Sequence, residues 1–395
     1  TISVDNANLL DAATGGTVTA SIDTDETVDE LKTLTGTHAY TIVIAAGDAE
    51  TSTADDLNTI NGKTSVAINA AAITDLASDN ITNIQTLLTA GNDTDQFTET
   101  SFASLETAIV SDGTIDGSKL ADAIDQANTA TGDESVVFTI TAATEIQGSE
   151  GNFTDLLDDN DNNQIDIVNH NLNVNSGTIS VDNANLLDAA TGGTVTASID
   201  TDETVDELKT LTGTHAYTIV IAGGDATSSS ADDLNTINGK TSVAVSLTNV
   251  TALASSSLSD LGTLATAIGN DEFSNATGLT TIAVSDGTVE ADTLAARIDS
   301  FDAINEGATT GMTLASGATI NVASDEITAM LADETGNRLT ISDQNINVDD
   351  GTISVDTAND LDLTTAGSIT ASIDTDETVD ELKTLTGTHA YTIVI

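Results

Sequence analysis

Four histidines and three copies of one acidic turn are the residues of this chain whose types invite chemistry. His38, His215 and His389 each stand in the sequence GTHAY, and His170 lies in VNHNLNVN at 168–175. A catalytic imidazole needs a positioned partner, and none is visible for these four, so they read as turn residues preceding a strand. The acidic turns, DTDE at 23–26, 200–203 and 374–377, each lead into a helix start. Carboxylates are favoured there by the helix dipole and by unpaired N–H groups. A calcium site formed with a neighbouring coil is the other reading.

A sharper candidate is DDNDNNQID at 158–166. Read as a calcium loop, Asp158, Asn160 and Asn162 take the alternating oxygen positions, the Gln164 carbonyl follows, Ile165 is the apolar anchor and Asp166 binds through water. Asn163 replaces the usual Gly, and Asn169 stands where the final bidentate Glu belongs. A plain solvated turn is the competing reading, because the second period carries DETGNR at 333–338 instead. Ca2+ is thus the one cofactor these residues suggest.

Composition narrows the rest. Among 395 residues, 64 are acidic and 8 basic, a net charge of −56 that speaks against nucleic acid and anionic membranes as partners. Hydrophobic residues make up 39% and there are 29 glycines, enough to bury a core. The absence of Cys removes disulfides and thiolate chemistry, and the absence of Pro leaves turns to Gly, Asn, Asp and Thr. No apolar run approaches the roughly 18 residues that span a bilayer. A chain that opens at Thr1 with no basic leader is expected to be a fragment or a processed product.

The elements that must position these residues are set by a repeat. Residues 1–45 recur unchanged at 178–222, and 19–44 recur at 370–395. DLNTINGKTSVA begins at Asp56 and Asp233, and VSDGT at Val110 and Val284, in the same register. This gives long repeats 1–177 and 178–351 and a partial third, 352–395, which is expected to be cut from a longer array. Inside each period a smaller cycle appears. Strand starts near Thr17, Tyr40 and Thr64 alternate with capped turns, Thr27 with Glu30 and then Thr53 onward, that open short apolar helical faces. Further strands are expected at 108–110, 136–140, 164–168 and 178–181, about seven per period.

TVTASIDTDETVDELKTLTGTHAYTIVI followed by ADDLNTINGKTSVAINAAAITDLAS resembles the tandem repeats of very large surface or secreted proteins of marine bacteria and cyanobacteria. The resemblance covers most of the chain. It implies an exported, array-like protein in a calcium-rich environment, with no assigned catalytic residues. The calcium-binding nonapeptide GGxGxDxUx is missing.

The expected fold is one continuous α/β solenoid over 1–395, a right-handed parallel β-solenoid with short helices and about 23–30 residues per coil. Tandem β-sandwich adhesin domains are the alternative. The expected core is Val18, Ile22, Leu31, Leu34, Ile42, Ile44, Leu57, Ile60, Val66 and Ile68. The expected function is structural and not enzymatic: an extracellular or cell-surface fibre, filament or surface layer of a bacterium, or else the stalk of a large adhesin. Its expected partners are copies of itself, end to end or laterally, and other cell-surface polymers, without membrane insertion.

Overall fold

The computed structural model describes residues 1–306 and 309–394. The chain divides into two compact halves, Thr1–Ser198 and Ile199–Ile395. Ile395, the equivalent of Ile44, lies outside the described residues.

Seven α-helices fall in the first half: α1 (Val4–Ala13), α2 (Val28–Leu31), α3 (Ala54–Asn61), α4 (Ile81–Gly91), α5 (Gly117–Thr131), α6 (Glu150–Asp161) and α7 (Val181–Ala190). Each starts behind a short polar side chain that accepts a first-turn N–H: Ser3, Thr27, Thr53, Asn80, Asp116, Ser149 and Ser180. Such a cap contributes about 0.5–2 kcal/mol. Thr27 with Glu30 and Thr53 with Asp56 close full capping boxes, as their spacing predicts. Behind the caps, apolar residues three or four apart are buried: Ala54, Leu57 and Ile60 on α3, and Ile81, Ile84 and Leu88 on α4.

Short strands lie between the helices, and every described strand pair is parallel. Strand Thr19–Ser21 pairs with Ala39–Thr41, and Thr107–Val110 lies between Asp75–Asp79 and Val137–Ile140. A further run follows Thr114–Asp116, Glu145–Ser149, Asn171–Ser176 and Val195–Ser198. Partners lie between 20 and 32 residues apart: Thr19 with Ala39, Asp75 with Thr107, Glu145 with Asn171.

The second half repeats this with α8 (Val205–Leu208), α9 (Ala231–Asn238), α10 (Leu258–Gly269), α11 (Ala291–Ile304), α12 (Ile327–Thr335), α13 (Val355–Thr364) and α14 (Val379–Leu382). Strands Ala252–Ser256, Thr281–Val284, Gly311–Leu314 and Leu339–Thr340 pair in that order. So do Thr288–Glu290, Thr319–Ala323, Asn345–Asp350, Ile369–Ser372 and Ala390–Thr392. The architecture is mixed α/β with parallel-only sheets and short helices.

Nine of the ten expected core residues are buried, and Val66 is half-buried. Three details depart from the sequence reading. Helix starts at Val4, Val28, Ala54, Ile81, Gly117, Glu150 and Val181 give six modules per long period rather than seven. The strand expected at 164–168 shrinks to one bridge, Phe138 with Ile165, because α6 runs on to Asp161 and the Asp159 carbonyl takes the Gln164 N–H. The strand expected at 178–181 shrinks to a bridge at Ile179, cut short by the Ser180 cap and the start of α7. Helix α2 ends at Leu31, five residues before Gly36. Gly36 turns the chain toward the next strand at φ 68°, and a Cβ there would meet His38 Nε2 at 2.7 Å. Among the described residues no helix is long and apolar enough to cross a membrane.

Candidate functional site

The acidic residues are built into the junctions between modules. A helix leaves its first N–H groups unpaired, and here a carboxylate from the following module takes one of them. Glu26 Oε1 accepts from Val4 N–H at 2.9 Å, Asp48 Oδ2 from Val28 N–H at 3.3 Å, and Asp112 Oδ2 from Ile81 N–H at 2.6 Å. The second half repeats the arrangement: Asp225 with Val205 at 3.1 Å, Asp286 with Leu258 at 2.7 Å and Glu377 with Val355 at 2.9 Å. Glu26 and Glu377 of the acidic turns therefore serve the preceding helix, whereas the sequence pointed to the one they introduce. Asp112 and Asp286 are the aspartates of the two VSDGT landmarks, so that repeated pentapeptide was the available signal.

Lysine ties the same junctions. Lys32 Nζ lies 2.8 Å from Asp29 and 2.6 Å from Asp56 in the next module, and Lys209 repeats this with Asp206 and Asp233. Burial alone would raise the Asp56 carboxyl, but the bonds from Lys32 and Thr53 outweigh it and hold it below its ordinary value. Asp29 and Asp56 together hold the Lys32 ammonium above the usual lysine range.

His38 is nearly buried and both its ring nitrogens are engaged. Nδ1 accepts from Val18 N–H at 3.2 Å, which places the proton on Nε2, and Nε2 donates to Asp11 Oδ1 at 2.7 Å. Tyr40 stands edge-on to the ring at 5.4 Å. His389 repeats this with Ile369 N–H, Asp362 and Tyr391. An imidazole whose basic nitrogen already receives a backbone N–H has no lone pair left for general-base work. These histidines fasten the loop ahead of a strand. His170 Nδ1 donates to the Ala143 carbonyl at 3.0 Å.

The structure places the expected calcium ligands at the end of a helix. Asp158 and Asn160 lie on the last turn of α6, two residues apart and thus roughly 200° apart around the axis. Asn162 is the C-cap, and Asn163 takes the left-handed conformation at φ 60°. Gln164 is buried, and its amide pairs with Asn128 on α5, donating to Oδ1 at 2.6 Å. Asn160 Oδ1 accepts from Ile167 N–H at 3.3 Å and Asp166 Oδ1 from Val168 N–H at 3.0 Å. Asn160 and Asp166 thus brace one turn, while Gln164 is engaged with another helix. Among the described residues no three or more His, Asp or Glu side chains are grouped so as to hold a metal ion.

The same stretch carries an unbalanced charge. Asp159 is pushed up to about 7, first by burial and then by repulsion from Asp125, Asp155, Asp158 and Glu134. In the second half, 174 residues on, Asp299 and Asp333 occupy the places of Asp125 and Asp159, and Arg338 the place of Gln164. Arg338 pairs with Asp302 at 2.7 Å, with Asp333 at 2.8 Å, and with Asp299. The first half has no such cation: no Lys or Arg occurs from Leu120 to Leu208. That gap in the basic residues is the signal of this imbalance that the sequence itself carries. Beside this cluster, α6 and α7 leave a cavity of about 410 Å3 lined by Phe153, Leu157, Val168, Leu186 and Leu187 together with Glu150, Asp158 and Asp161.

No protein-family model and no curated protein matches this chain. The functional reading therefore rests on the residues themselves. What they do, in copy after copy, is bind one module to the next.

Proposed function

We propose that the chain is a right-handed parallel α/β solenoid and that it serves as a structural, non-catalytic element of a bacterial cell exterior, a fibre, filament or surface layer. One observation carries this: parallel pairing throughout links each strand to the strand one module later, such as Ile320 to Ile346 and Leu172 to Val195. Modules that engage only their neighbours can be added without altering any junction already made. The capping of Val4 by Glu26 and of Val355 by Glu377, both at 2.9 Å, supports the same reading, since one junction design serves distant copies. Repetition of this kind provides length and avidity rather than one reactive cleft.

The partners in this proposal are copies of the same chain, laterally or end to end, and other surface polymers. The acidic surface suits a saline exterior in which screening and Ca2+ offset self-repulsion. The stalk of a large adhesin is the second reading, favoured by the same repetition. Electron microscopy of the native material separates the two. Continuous fibres with an axial period near 29 Å, six modules at about 4.8 Å each, support the filament. Isolated rods ending in a globular tip support the stalk, and compact particles defeat both.

A further inference from the structure

The cavity between α6 and α7 has a composition that the module junctions do not require. Its walls are apolar, formed by Phe153, Leu157, Val168, Leu186 and Leu187. Two of these large side chains remain open to solvent: Leu186 is 54% exposed and Val168 50% exposed. The fold does not demand an apolar residue at Leu186, because the equivalent place on α13, 174 residues on, is Asp360. Carboxylates share the lining: Glu150, Asp158 and Asp161. Glu150 Oε1 accepts from the Asn183 amide at 2.5 Å, which links the two helices across the cavity. No ion pair reaches Glu150, Asp158 or Asp161 among the described residues. The equivalent places in the second half are Ser324, Ala332 and Thr335, so the fold does not demand these carboxylates either.

We propose that this cavity binds an organic cation with an apolar body, a primary or quaternary ammonium carried on an aryl or alkyl chain. The volume of about 410 Å3 lies in the range that accommodates small molecules. The apolar body covers Leu186 and Val168 and removes their surface from water, while the ammonium sits against carboxylates that lack a countercharge. An anion of the same shape is repelled, and a neutral analogue gains only the apolar part. The net charge of −56 raises the local concentration of any cation near the chain, but that attraction is spread over the whole surface and does not discriminate by shape.

The experiment titrates the full chain with 4-phenylbutylamine, 4-phenylbutanol and 4-phenylbutanoate at fixed ionic strength, by calorimetry. The expected result is saturable binding of the amine at one site, about tenfold tighter than the alcohol, with no binding of the carboxylate. Leu186→Ser should weaken the amine about tenfold with an unchanged melting curve, because that side chain is exposed, and Asp158→Asn about threefold with no loss of melting temperature, because it only relieves repulsion on Asp159. Amine and alcohol binding equally would overturn the proposal. So would many weak amine sites that Leu186→Ser leaves unaltered, which is the signature of diffuse counterion adsorption.

Discussion

Glu26 caps a helix to which it does not belong: its Oε1 accepts the N–H of Val4, 22 residues earlier, at 2.9 Å. The bond joins a charged acceptor to the positive end of α1, so it is stronger than a neutral contact of the same length. Glu26→Ala should cost about 0.5–2 kcal/mol. Hydrogen exchange at the Val4 amide should quicken with it, while the amides of α5 keep their rates. Unchanged exchange at Val4 would show that the carboxylate does not cap it.

Lys32 and Asp56 join successive modules at 2.6 Å with both side chains partly covered. A double-mutant cycle of Lys32→Met and Asp56→Asn should give a coupling of about 0.5–1 kcal/mol near neutral pH. The Asp56 carboxyl is held low in the folded chain, so this contribution is present above its unfolded value of 3.8 and is lost as pH falls through the lower folded value. A coupling that persists in strong acid would contradict the assignment.

Asp159 behaves in the opposite sense. Its carboxyl is raised from 3.8 to about 7, so between these values the folded chain holds a proton that the unfolded chain has released. Stability from this group is complete below the unfolded value and is lost as pH rises through the folded one. Asp159→Asn should therefore raise the melting temperature near pH ~8 and leave it unchanged near pH ~3. Gln164→Arg, which copies Arg338, should give the same gain at the higher pH. A gain of equal size at both pH values would remove the electrostatic explanation.

Gly193 and Gly16 are equivalent residues in different surroundings. A Cβ at Gly193 would lie 2.4 Å from the His170 carbonyl oxygen, while at Gly16 the nearest atom is Thr14 Oγ1 at 3.5 Å. Gly193→Ala is expected to cost about 1–3 kcal/mol by forcing backbone apart, and Gly16→Ala to cost far less. Urea midpoints of the two variants provide the comparison, and equal losses would count against it.

With a net charge of −56, the folded chain should gain stability as salt screens its carboxylates. The melting temperature is expected to climb between low salt and seawater-like salt. Calcium at matched ionic strength must raise it further if Asp158 and Asp166 contribute to an ion site. No rise in either case would mean that the junction hydrogen bonds already absorb the repulsion.

The capped turns were legible because their signals are local. Thr27 with Glu30 and Thr53 with Asp56 need only a spacing of three, and the apolar positions behind them lie within one turn. The longer helices α4, α5 and α6 were missed as elements. Their starts at Asn80, Asp116 and Ser149 carry no Glu at the third position, and α6 ends in Asp and Asn residues that read as a turn. Cross-module bonds such as Asp112 to Ile81 depend on which strands pair, which no local window contains. The calcium reading of 158–166 treated as loop a segment whose first half is helical. Phe153 and Leu156, three apart on the buried face of α6, were the evidence for helix.

The borrowing of caps also sets the order in which the molecule can be finished during synthesis. When α1 leaves the ribosome, Val4 has no acceptor until Glu26 follows, and α4 waits in the same way from Ile81 until Asp112. A growing chain therefore carries one incomplete module behind its leading edge, and each newly made stretch completes the one before it. A chain cut between two such stretches should therefore lack the borrowed acceptor only on its last helix, with the earlier caps intact.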